Sequence, residues 1–427
     1  LNRNTWSADN PIFRGMYGRA MFQVALANEY LRQTSDSRLD ARNVPADVRE
    51  DIVAYRAEAR FLRALAYYHL LDLFGKAAFV TEDDPLGAFQ APQIEGVQLF
   101  EYIESELLTI NDDLLPAKSQ EYPRADRGAA WMVLAKLYLN AEVYIGENRY
   151  ADCLNYCSQI IQAGYTLAPN YEDNFKADND RNAANNEIIF YVSSDGQVTQ
   201  NFGPTTVMVN GCVGSIEQNG VELGVNAGGW GGALRVPRQF AEKFEGADFA
   251  NDARNNLITA DRPADISSIA DRDQGFIITK FSNVTSTGAP GQDRTFVDAD
   301  FTLFRFADVY LMYAEAHLRG GGGDASTAVG YINLLRQRAN NGSNSANISA
   351  GELNLNFIID ERLRELHWEG HRRQDLIRFN LFTGNSYNWA WKGNSQNGAS
   401  IPDFLRVFPM PTQSLAANLN LTQNPGY

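Results

Sequence analysis

Two histidines have a spacing that suits a metal ion. His367 and His371 lie four residues apart in HWEGH, which on a helix would place both on one face and could hold zinc. They lie within DERLRELHWEGHRRQDLIR, where Arg alternates with Asp and Glu. A helix connected by ion pairs, with its histidines packed or partly exposed, explains the same pattern. We predict that structural role and no metal site.

Motifs of catalysis are largely missing from the sequence. The chain has no G-x-S-x-G, no Walker loop, no H-E-x-x-H, and no G-x-G-x-x-G after a predicted strand. Paired carboxylates occur at Asp83–Asp84 and Asp112–Asp113, but such pairs are common in an acidic chain and indicate a glycosidase only weakly. We therefore predict no catalytic residues and no cofactor.

Two tryptophans lie in sequence contexts that suit sugar binding. Trp6, in NTWSADNP, is followed by Asp9 and Asn10 just ahead of a predicted helix, and Trp230 has two glycines on each side in NAGGWGGALR. Sugar rings present apolar C–H faces that stack on aromatic rings, and hydroxyls that bond carboxylates and amides. A Trp among glycines can also be a structural corner with its indole in the core, so two interpretations of Trp230 stay open.

The other tryptophans are predicted to pack within the protein. Trp389 and Trp391 are two apart in YNWAWKG, and we expect packing near the C-terminus rather than sugar stacking. Trp131 and Trp368 are predicted to lie on helices, at positions that face the core.

Composition narrows the classes of partner. The chain has 427 residues, a formal net charge of -15 at pH 7, and 44% hydrophobic residues. This is a globular composition, and so acidic a chain suits neither nucleic acid nor anionic lipid headgroups. No apolar run approaches the roughly 20 residues of a membrane helix. LNRNTW, at the beginning, has no basic and apolar regions of an export signal.

The elements that must position these side chains are mostly paired helices. DRGAAWMVLAKLYLNAEVY and RYADCLNYCSQIIQAG form one pair, and LFRFADVYLMYAEAHLRG and DASTAVGYINLLRQRAN form another. In each pair, a helix with Ala and aromatic residues at helical spacing precedes a short turn and a second helix. This is the layout of tetratricopeptide-type hairpins. Cys153 and Cys157, in the second helix of the first pair, are predicted to be small buried residues.

Residues 187–301 have a different composition, rich in Gly, Asn, Asp, Ser and Thr. Three short runs there, EIIFYVSS, TTVMVNG and GFIITKFSN, have β-like composition. We predict a mainly α fold, with a single domain over 1–427. Its tetratricopeptide-like helical scaffold, at about 12–186 and 302–380, carries a loop-rich insertion at 187–301 with a few short strands. Residues 381–427 are predicted to be irregular, and the insertion to form the ligand face.

The chain resembles the SusD/RagB family in four stretches that keep the family's order. These are AEARFLRALAYYHLLDLFGKAAF (57–79), RFADVYLMYAEA (305–316), DERLRELHWEGHRRQDLIRF (360–379) and QNPGY (423–427). Three more stretches resemble the starch-binding branch in particular: RADRGAAWMVLAKLYLNAEVY, NYEDNFKADNDRNAANNEII and WAWKGNSQNGAS. Because these stretches are spread over nearly the whole chain, together they are highly specific.

The resemblance implies a non-catalytic, glycan-binding lipoprotein on the extracellular face of the outer membrane. Members of the family deliver glycan to a TonB-dependent transporter of the SusC type. Starch-like α-glucan is the expected ligand, with laminarin-like β-glucan or fructan as alternatives. The N-terminal lipid anchor is inferred from the family alone, because this sequence does not contain it. A protein-interaction scaffold of stacked hairpins is the alternative class of function.

The resemblance also implies a set of ligand-binding residues. In starch-binding members, a Trp followed three residues later by Asn contacts the glucan. Trp6 matches that Trp, but Asp9 stands at the Asn position, and a carboxylate accepts hydrogen bonds without donating as an amide does. The Gly-Trp-Gly segment occurs in members with different ligands, which favours a structural role for Trp230. We predict Trp6, Asp9, Asn10 and Trp230 as candidate ligand-binding residues.

Overall fold

The computed structural model describes residues 3–87, 89–213, 220–259 and 261–427. The helices in these residues are α1 (Pro11–Gln33), α2 (Asp36–Ala41), α3 (Ala46–Phe74), α4 (Gly96–Thr109), α5 (Arg127–Leu139), α6 (Ala141–Ile145), α7 (Tyr150–Gln162), α8 (Pro204–Cys212), α9 (Arg238–Ala241), α10 (Phe306–Leu318), α11 (Ala325–Ala339), α12 (Leu355–Leu366), α13 (Arg372–Arg378) and α14 (Thr412–Ala417). The strands are β1 (Lys76–Ala78), β2 (Gln93–Glu95), β3 (Ile188–Val192), β4 (Leu257–Ile258), β5 (Ile277–Ile278) and β6 (Phe301–Arg305).

The prediction of a mainly α fold with a few short strands is confirmed. The strands pair antiparallel as β1 with β2, β3 with β6, and β4 with β5. Across the described ranges, no helix is long and apolar enough to cross a membrane.

The two predicted helical hairpins are present and stack on each other. α5 packs against α7, α10 packs against α11, and α10 also packs against α7 and α5. α5 lies in the middle of the main core and buries residues on all sides, which explains its lack of a polar face. Cys153 and Cys157 of α7 are fully buried, as predicted.

Short polar side chains fix where these helices begin. Asp126 accepts a hydrogen bond of 2.8 Å from Gly128 N at the start of α5, and Asp324 accepts one of 2.9 Å from Thr327 N at the start of α11. Asn354 does the same for α12. Because each such bond satisfies a backbone N–H that has no partner within its helix, these residues set the register of the scaffold.

Within 187–301, one predicted strand is correct, one is short and one is wrong. EIIFYVSS contains β3, whereas GFIITKFSN contributes only the two residues of β5. TTVMVNG is helical, in α8, which begins at Pro204. Thr205, Val209 and Cys212 lie four and three residues apart and are all buried. This helical spacing of buried side chains outweighs the β-like composition.

The prediction of one continuous helix through HWEGH is also wrong. α12 ends at Leu366 and α13 begins at Arg372. Between them Trp368 has φ 64° and Gly370 has φ 87°, left-handed conformations that no helix continues through. Trp368 is therefore in a turn rather than on a helix, and its side chain packs against two core clusters.

The two histidines are consequently held by different elements and different partners. His367 Nδ1 lies 3.0 Å from the carbonyl of Arg364, and His371 Nδ1 lies 3.1 Å from Lys136 Nζ. Burial, together with the charge of Lys136, lowers the pKa of His371 to about 4. At pH 7 this imidazole is therefore neutral and accepts the bond from the lysine.

The charged residues around HWEGH form ion pairs in the protein interior. Arg305, at the end of β6, bonds Glu187 at 2.9 Å, Glu365 at 2.7 Å and Glu369 at 2.6 Å. All four side chains are buried. We term the following buried, ion-paired side chains the buried ion network: Lys136, Glu187, Asp252, Arg254, Lys280, Arg305, Asp308, Glu315, Arg336, Arg338, Glu361, Arg362, Arg364, Glu365, Glu369, Asp375 and Arg378.

Glu365 of α12 is a central acceptor in this network. It pairs with Arg254, Arg305 and Arg338. Burial alone would raise the pKa of its carboxyl, but the three arginines hold that pKa well below its usual range. The carboxylate is thus charged at every physiological pH, and its partners on three separate segments depend on it.

Replacing Glu365 should therefore strongly destabilise the fold. Glu365→Ala leaves three buried guanidinium groups without this partner, and we expect the free energy of unfolding to fall by about 3–5 kcal/mol. Glu365→Gln should lose less, because an amide oxygen still accepts hydrogen bonds. Denaturant unfolding measures both. The control is Asp265→Ala, which removes a carboxylate from the exposed pair with Arg238 and should change little. Equal effects of Glu365→Ala and Asp265→Ala would contradict the prediction.

Candidate functional site

Three aromatic rings meet at the surface of the loop-rich region. The ring centroid of Phe202 lies 5.3 Å from that of Phe296 and 6.3 Å from that of Trp230. Phe202 is 65% exposed, while Trp230 and Phe296 are half-buried. In the described part of the chain, none of the three packs into a hydrophobic core cluster. Phe202, Trp230 and Phe296 are termed the aromatic patch below.

The backbone of Trp230 is firmly anchored, although its ring is at the surface. Its N–H donates to the carbonyl of Asn210 at 2.9 Å, and its carbonyl accepts from Arg272 Nη1 at 2.8 Å. Gly229 has φ 41°, and a Cβ there would lie 2.4 Å from Cβ of Val213. Only glycine permits this close approach. The glycines therefore serve the turn, and the indole is not buried in the core.

The loop that carries Phe202 is held by carboxylates that precede β6. Residues 193–203 connect β3 to α8. Gly196 N donates to Asp298 at 2.7 Å, and Ser194 N donates to Asp300 at 2.5 Å. Burial raises the pKa of Asp300 to about 7, although the bond from Ser194 opposes that shift. These bonds fix the start of the loop against the strand that follows Phe296.

Hydrogen-bonding side chains adjoin the aromatic patch. The amide of Asn226 lies 3.4 Å from the hydroxyl of Thr295, which directly precedes Phe296. The guanidinium group of Arg272 is exposed beside the Trp230 turn. Aromatic faces stack on flat apolar surfaces, and amide, hydroxyl and guanidinium groups bond a polar rim. The arrangement therefore suits non-covalent binding of a ring-shaped, hydroxyl-rich ligand.

Trp6 is packed by its surroundings. Its indole N–H donates to the hydroxyl of Tyr427 at 2.9 Å. Its ring is edge-on to Phe13 and to Phe408, with centroids 5.6 and 5.3 Å away. These contacts join the beginning of the described chain to its end. Packing therefore explains the position of the Trp6 ring, and its contact with a ligand stays a prediction.

Asp9 and Asn10 lie just ahead of α1, and the two differ in their bonding. The side chain of Asn10 accepts a hydrogen bond from Ile12 N at 2.9 Å and so caps the helix. Asp9 is exposed. No ring contact joins Trp6 to Trp230 within the described residues. The structure thus places the four predicted residues in two regions, one beside α1 and one at the aromatic patch.

A polar cleft of 250 Å³ adjoins the segment that follows Trp230. Trp391 and Arg235 line it, and the indole N–H of Trp391 donates to the carbonyl of Ile266 at 2.8 Å. Asn4 accepts a hydrogen bond from Gly393 N at 3.1 Å, so the N-terminal segment approaches this region. Trp391 thus lines a cleft, whereas its neighbour Trp389 stacks on Tyr387 and packs in a core cluster, as expected.

Sequence reasoning missed the other two rings of the aromatic patch. Phe202 lies in TQNFGP and Phe296 in DRTFVD. An isolated Phe among polar residues is usually a buried anchor of a loop, so residue type alone gives no indication of exposure. The polar residues that precede Phe202 were the one available signal.

Comparison with known proteins identifies what this architecture is similar to. The sequence profile of the SusD family matches residues 243–427. The chain is 34% identical to the starch-binding protein SusD of Bacteroides thetaiotaomicron over 475 aligned residues, which span 100% of this chain and 81% of that protein.

Solved structures show the same fold. A SusD superfamily protein from Parabacteroides distasonis superposes with a TM-score of 0.73 at 22% identity, covering 99% of this chain and 87% of that one. A laminarin-binding SusD-like protein superposes with a TM-score of 0.65 at 21% identity, covering 97% and 86%. At such identities the likeness establishes the architecture and leaves the ligand open.

The buried carboxyl of Asp300 predicts a specific pH dependence. Its pKa of about 7 lies above the value near 4 of an unfolded chain, so the native state holds a proton that the unfolded state releases between these pH values. The stability that this proton contributes is present at low pH and is lost as the pH rises through 7. Asp300→Asn cannot titrate and should be more stable than the parent at pH 8, by on the order of 2–4 kcal/mol.

The same substitution should have little effect at pH 4.5, where the parent carboxyl is already neutral. Urea unfolding of parent and variant at the two pH values measures the difference. An identical difference at both would show that Asp300 does not titrate in this range.

Proposed function

The chain belongs to the SusD family, and from this we propose that it is a non-catalytic glycan-binding protein of the bacterial outer membrane, exposed to the exterior. A relative that aligns over the whole chain is named as a starch-binding protein. The aromatic patch is the observation that supports binding at a particular place, because it presents rings outside the core clusters of the described residues.

In this proposal the glycan lies across the patch. Phe202 and Trp230 stack on the apolar faces of sugar rings, and Asn226 and Arg272 bond their hydroxyls. Stacking and hydrogen bonding hold a ground-state sugar, and they cleave no bond. We therefore propose binding without turnover, so purified protein should release no reducing sugar.

Starch-like α-glucan is the ligand that we propose. The support is the 34% identity to a starch-binding relative along the whole chain, whereas the laminarin-binding protein is 21% identical and supports only the fold. Laminarin-like β-glucan and fructan remain the alternatives to test.

Delivery of the glycan to a TonB-dependent transporter of the SusC type completes the proposed role. A lipid anchor ahead of this sequence would hold the protein beside that transporter. Both parts rest on the family resemblance, and co-purification of the lipidated, full-length protein with an outer-membrane transporter is the test.

Substitutions in the aromatic patch test the binding site. Phe202→Ala and Trp230→Ala should each weaken binding of maltoheptaose by about 5- to 150-fold, the equivalent of roughly 1–3 kcal/mol for a lost stacking contact. Because Phe202 is 65% exposed, Phe202→Ala should leave the melting temperature nearly unchanged. Isothermal titration calorimetry against maltoheptaose, a laminarin oligomer and a fructan measures affinity and ligand class together.

Phe22→Ala is a matched control, because Phe22 of α1 is 64% exposed and is not part of the patch. It removes the same side chain from an equally exposed position. If all three variants bind every glycan as the parent does, the aromatic patch is not the binding site.

The predicted residues beside α1 need a separate test. Trp6→Ala should weaken glycan binding by about 5- to 150-fold if Trp6 is a stacking residue. It should also lower the free energy of unfolding, since Phe13, Phe408 and Tyr427 lose a partner. Asp9→Ala separates the effects, because Asp9 is exposed and its loss should reduce affinity alone. Parent-like affinity in both variants would remove Trp6 and Asp9 from the site.

A further inference from the structure

A second polar cavity lies at β3, on residues that the aromatic patch does not use. Its volume is 270 Å³. Tyr191 of β3 forms one wall and stacks on Tyr122, with ring centroids 3.8 Å apart and planes inclined by 21°. Tyr191 is 9% exposed and Tyr122 is half-buried. The stacked pair gives the cavity a fixed aromatic wall.

The charged side chains of this cavity are committed to partners within the protein. Lys118 Nζ donates to the carbonyl of Gly164 at 2.9 Å. Arg124 Nε donates to Glu58 at 3.0 Å, and a second guanidinium nitrogen bonds the same carboxylate. Asp126 is buried and accepts hydrogen bonds from two backbone N–H groups. Arg124 is thus paired with a carboxylate, whereas Lys118 is bonded to a backbone carbonyl and keeps its charge.

Among the polar side chains of the cavity that have no partner within the described residues are two amides and a carboxylate. Asn185 and Asn186 are exposed, and among the described residues their side-chain amides form no hydrogen bond. The carboxylate of Glu121 likewise forms no ion pair there. The backbone beneath the amides is fixed, because Asn185 N donates to Asn182 and Thr166 N donates to the carbonyl of Asn186. The two amides therefore line the cavity from a held turn, and the carboxylate of Glu121 lines it from a separate segment.

The side chains that line the cavity indicate the chemical class of its ligand. Amides donate and accept hydrogen bonds, and a carboxylate accepts them from hydroxyls. Arg124 is paired with Glu58. The carboxylate of Glu121 offsets the charge of Lys118, so the lining has no excess positive charge to attract phosphate, sulfate or uronate. The cavity is somewhat smaller than the range of about 300–1,000 Å³ that holds drug-sized ligands, so it suits a small ligand or one end of a longer one.

We propose that this cavity is a second carbohydrate subsite, which takes the end of a neutral glycan independently of the aromatic patch. The inference rests on the proposed glycan-binding function. The two sites share no residue, yet β3 leads from Tyr191 directly into the loop that carries Phe202. A glycan long enough to reach both gains affinity by occupying them together.

The test removes the patch first and then the second subsite. In a Phe202→Ala/Trp230→Ala background, NMR titration with maltotriose should still detect weak binding. Adding Asn185→Ala/Asn186→Ala should weaken that residual binding at least tenfold and leave the melting temperature unchanged, because both amides are exposed. Phe202→Ala alone is the second background, in case the double variant does not fold. Asn344→Ala, which removes an exposed amide elsewhere, is the matched control and should change nothing.

The outcomes separate this inference from the function on which it rests. A parent chain that binds no glycan refutes the proposed function. A parent that binds glycan, but loses all binding with the patch, refutes the second subsite alone, as does residual binding that survives Asn185→Ala/Asn186→Ala. Trigalacturonate tests the ligand class, since an anionic trisaccharide should bind at least tenfold more weakly than maltotriose. Equal binding of the two would overturn the assignment to neutral glycans.

Discussion

Much of the architecture depends on the buried ion pairs of Arg305. Its guanidinium group bonds carboxylates from three places: Glu187 ahead of β3, Glu365 in α12 and Glu369 in the turn that follows. A buried charge that loses its partners destabilises a fold far more than a surface charge does. The network therefore requires the hairpin of α10 and α11, the α12–α13 corner and the loop-rich region to be assembled together.

β6 transmits this constraint to the surface. It is five residues long, with Arg305 at one end and Asp300 immediately before the other. Arg305 is fixed in the ion network, while Asp300 and Asp298 hold the loop that leads to Phe202. The exposed ring is thus positioned through a short strand whose far end is fixed in the protein interior. The carboxyl groups at the two ends have opposite pKa shifts: burial raises the pKa of Asp300, whereas the arginines, against the effect of burial, lower the pKa of Glu365, the partner of Arg305.

The sequence predicted the parts of the fold that arise from local periodicity. The helices of both hairpins follow from apolar spacing, and residues such as Asp126 and Asp324 fix their starts. The corner at Trp368 could not be predicted, because its left-handed backbone is stabilised by packing against residues distant in sequence. The candidate site likewise has one part that the sequence indicates and one part that it does not. Trp230 was recognisable from its glycines, whereas the exposure of Phe202 depends on a loop held by distant carboxylates.

At Trp230 the backbone and the side chain have separate roles. Its peptide groups hold the turn in place through Asn210 and Arg272, and its ring takes no part in that attachment. A different side chain could occupy the position while the turn kept its shape. Loops built this way can acquire new preferences for ligands without first acquiring new stability. The scaffold beneath this turn is accordingly suited to diversification, in which one protein architecture serves many different molecules by exchanging a few surface rings.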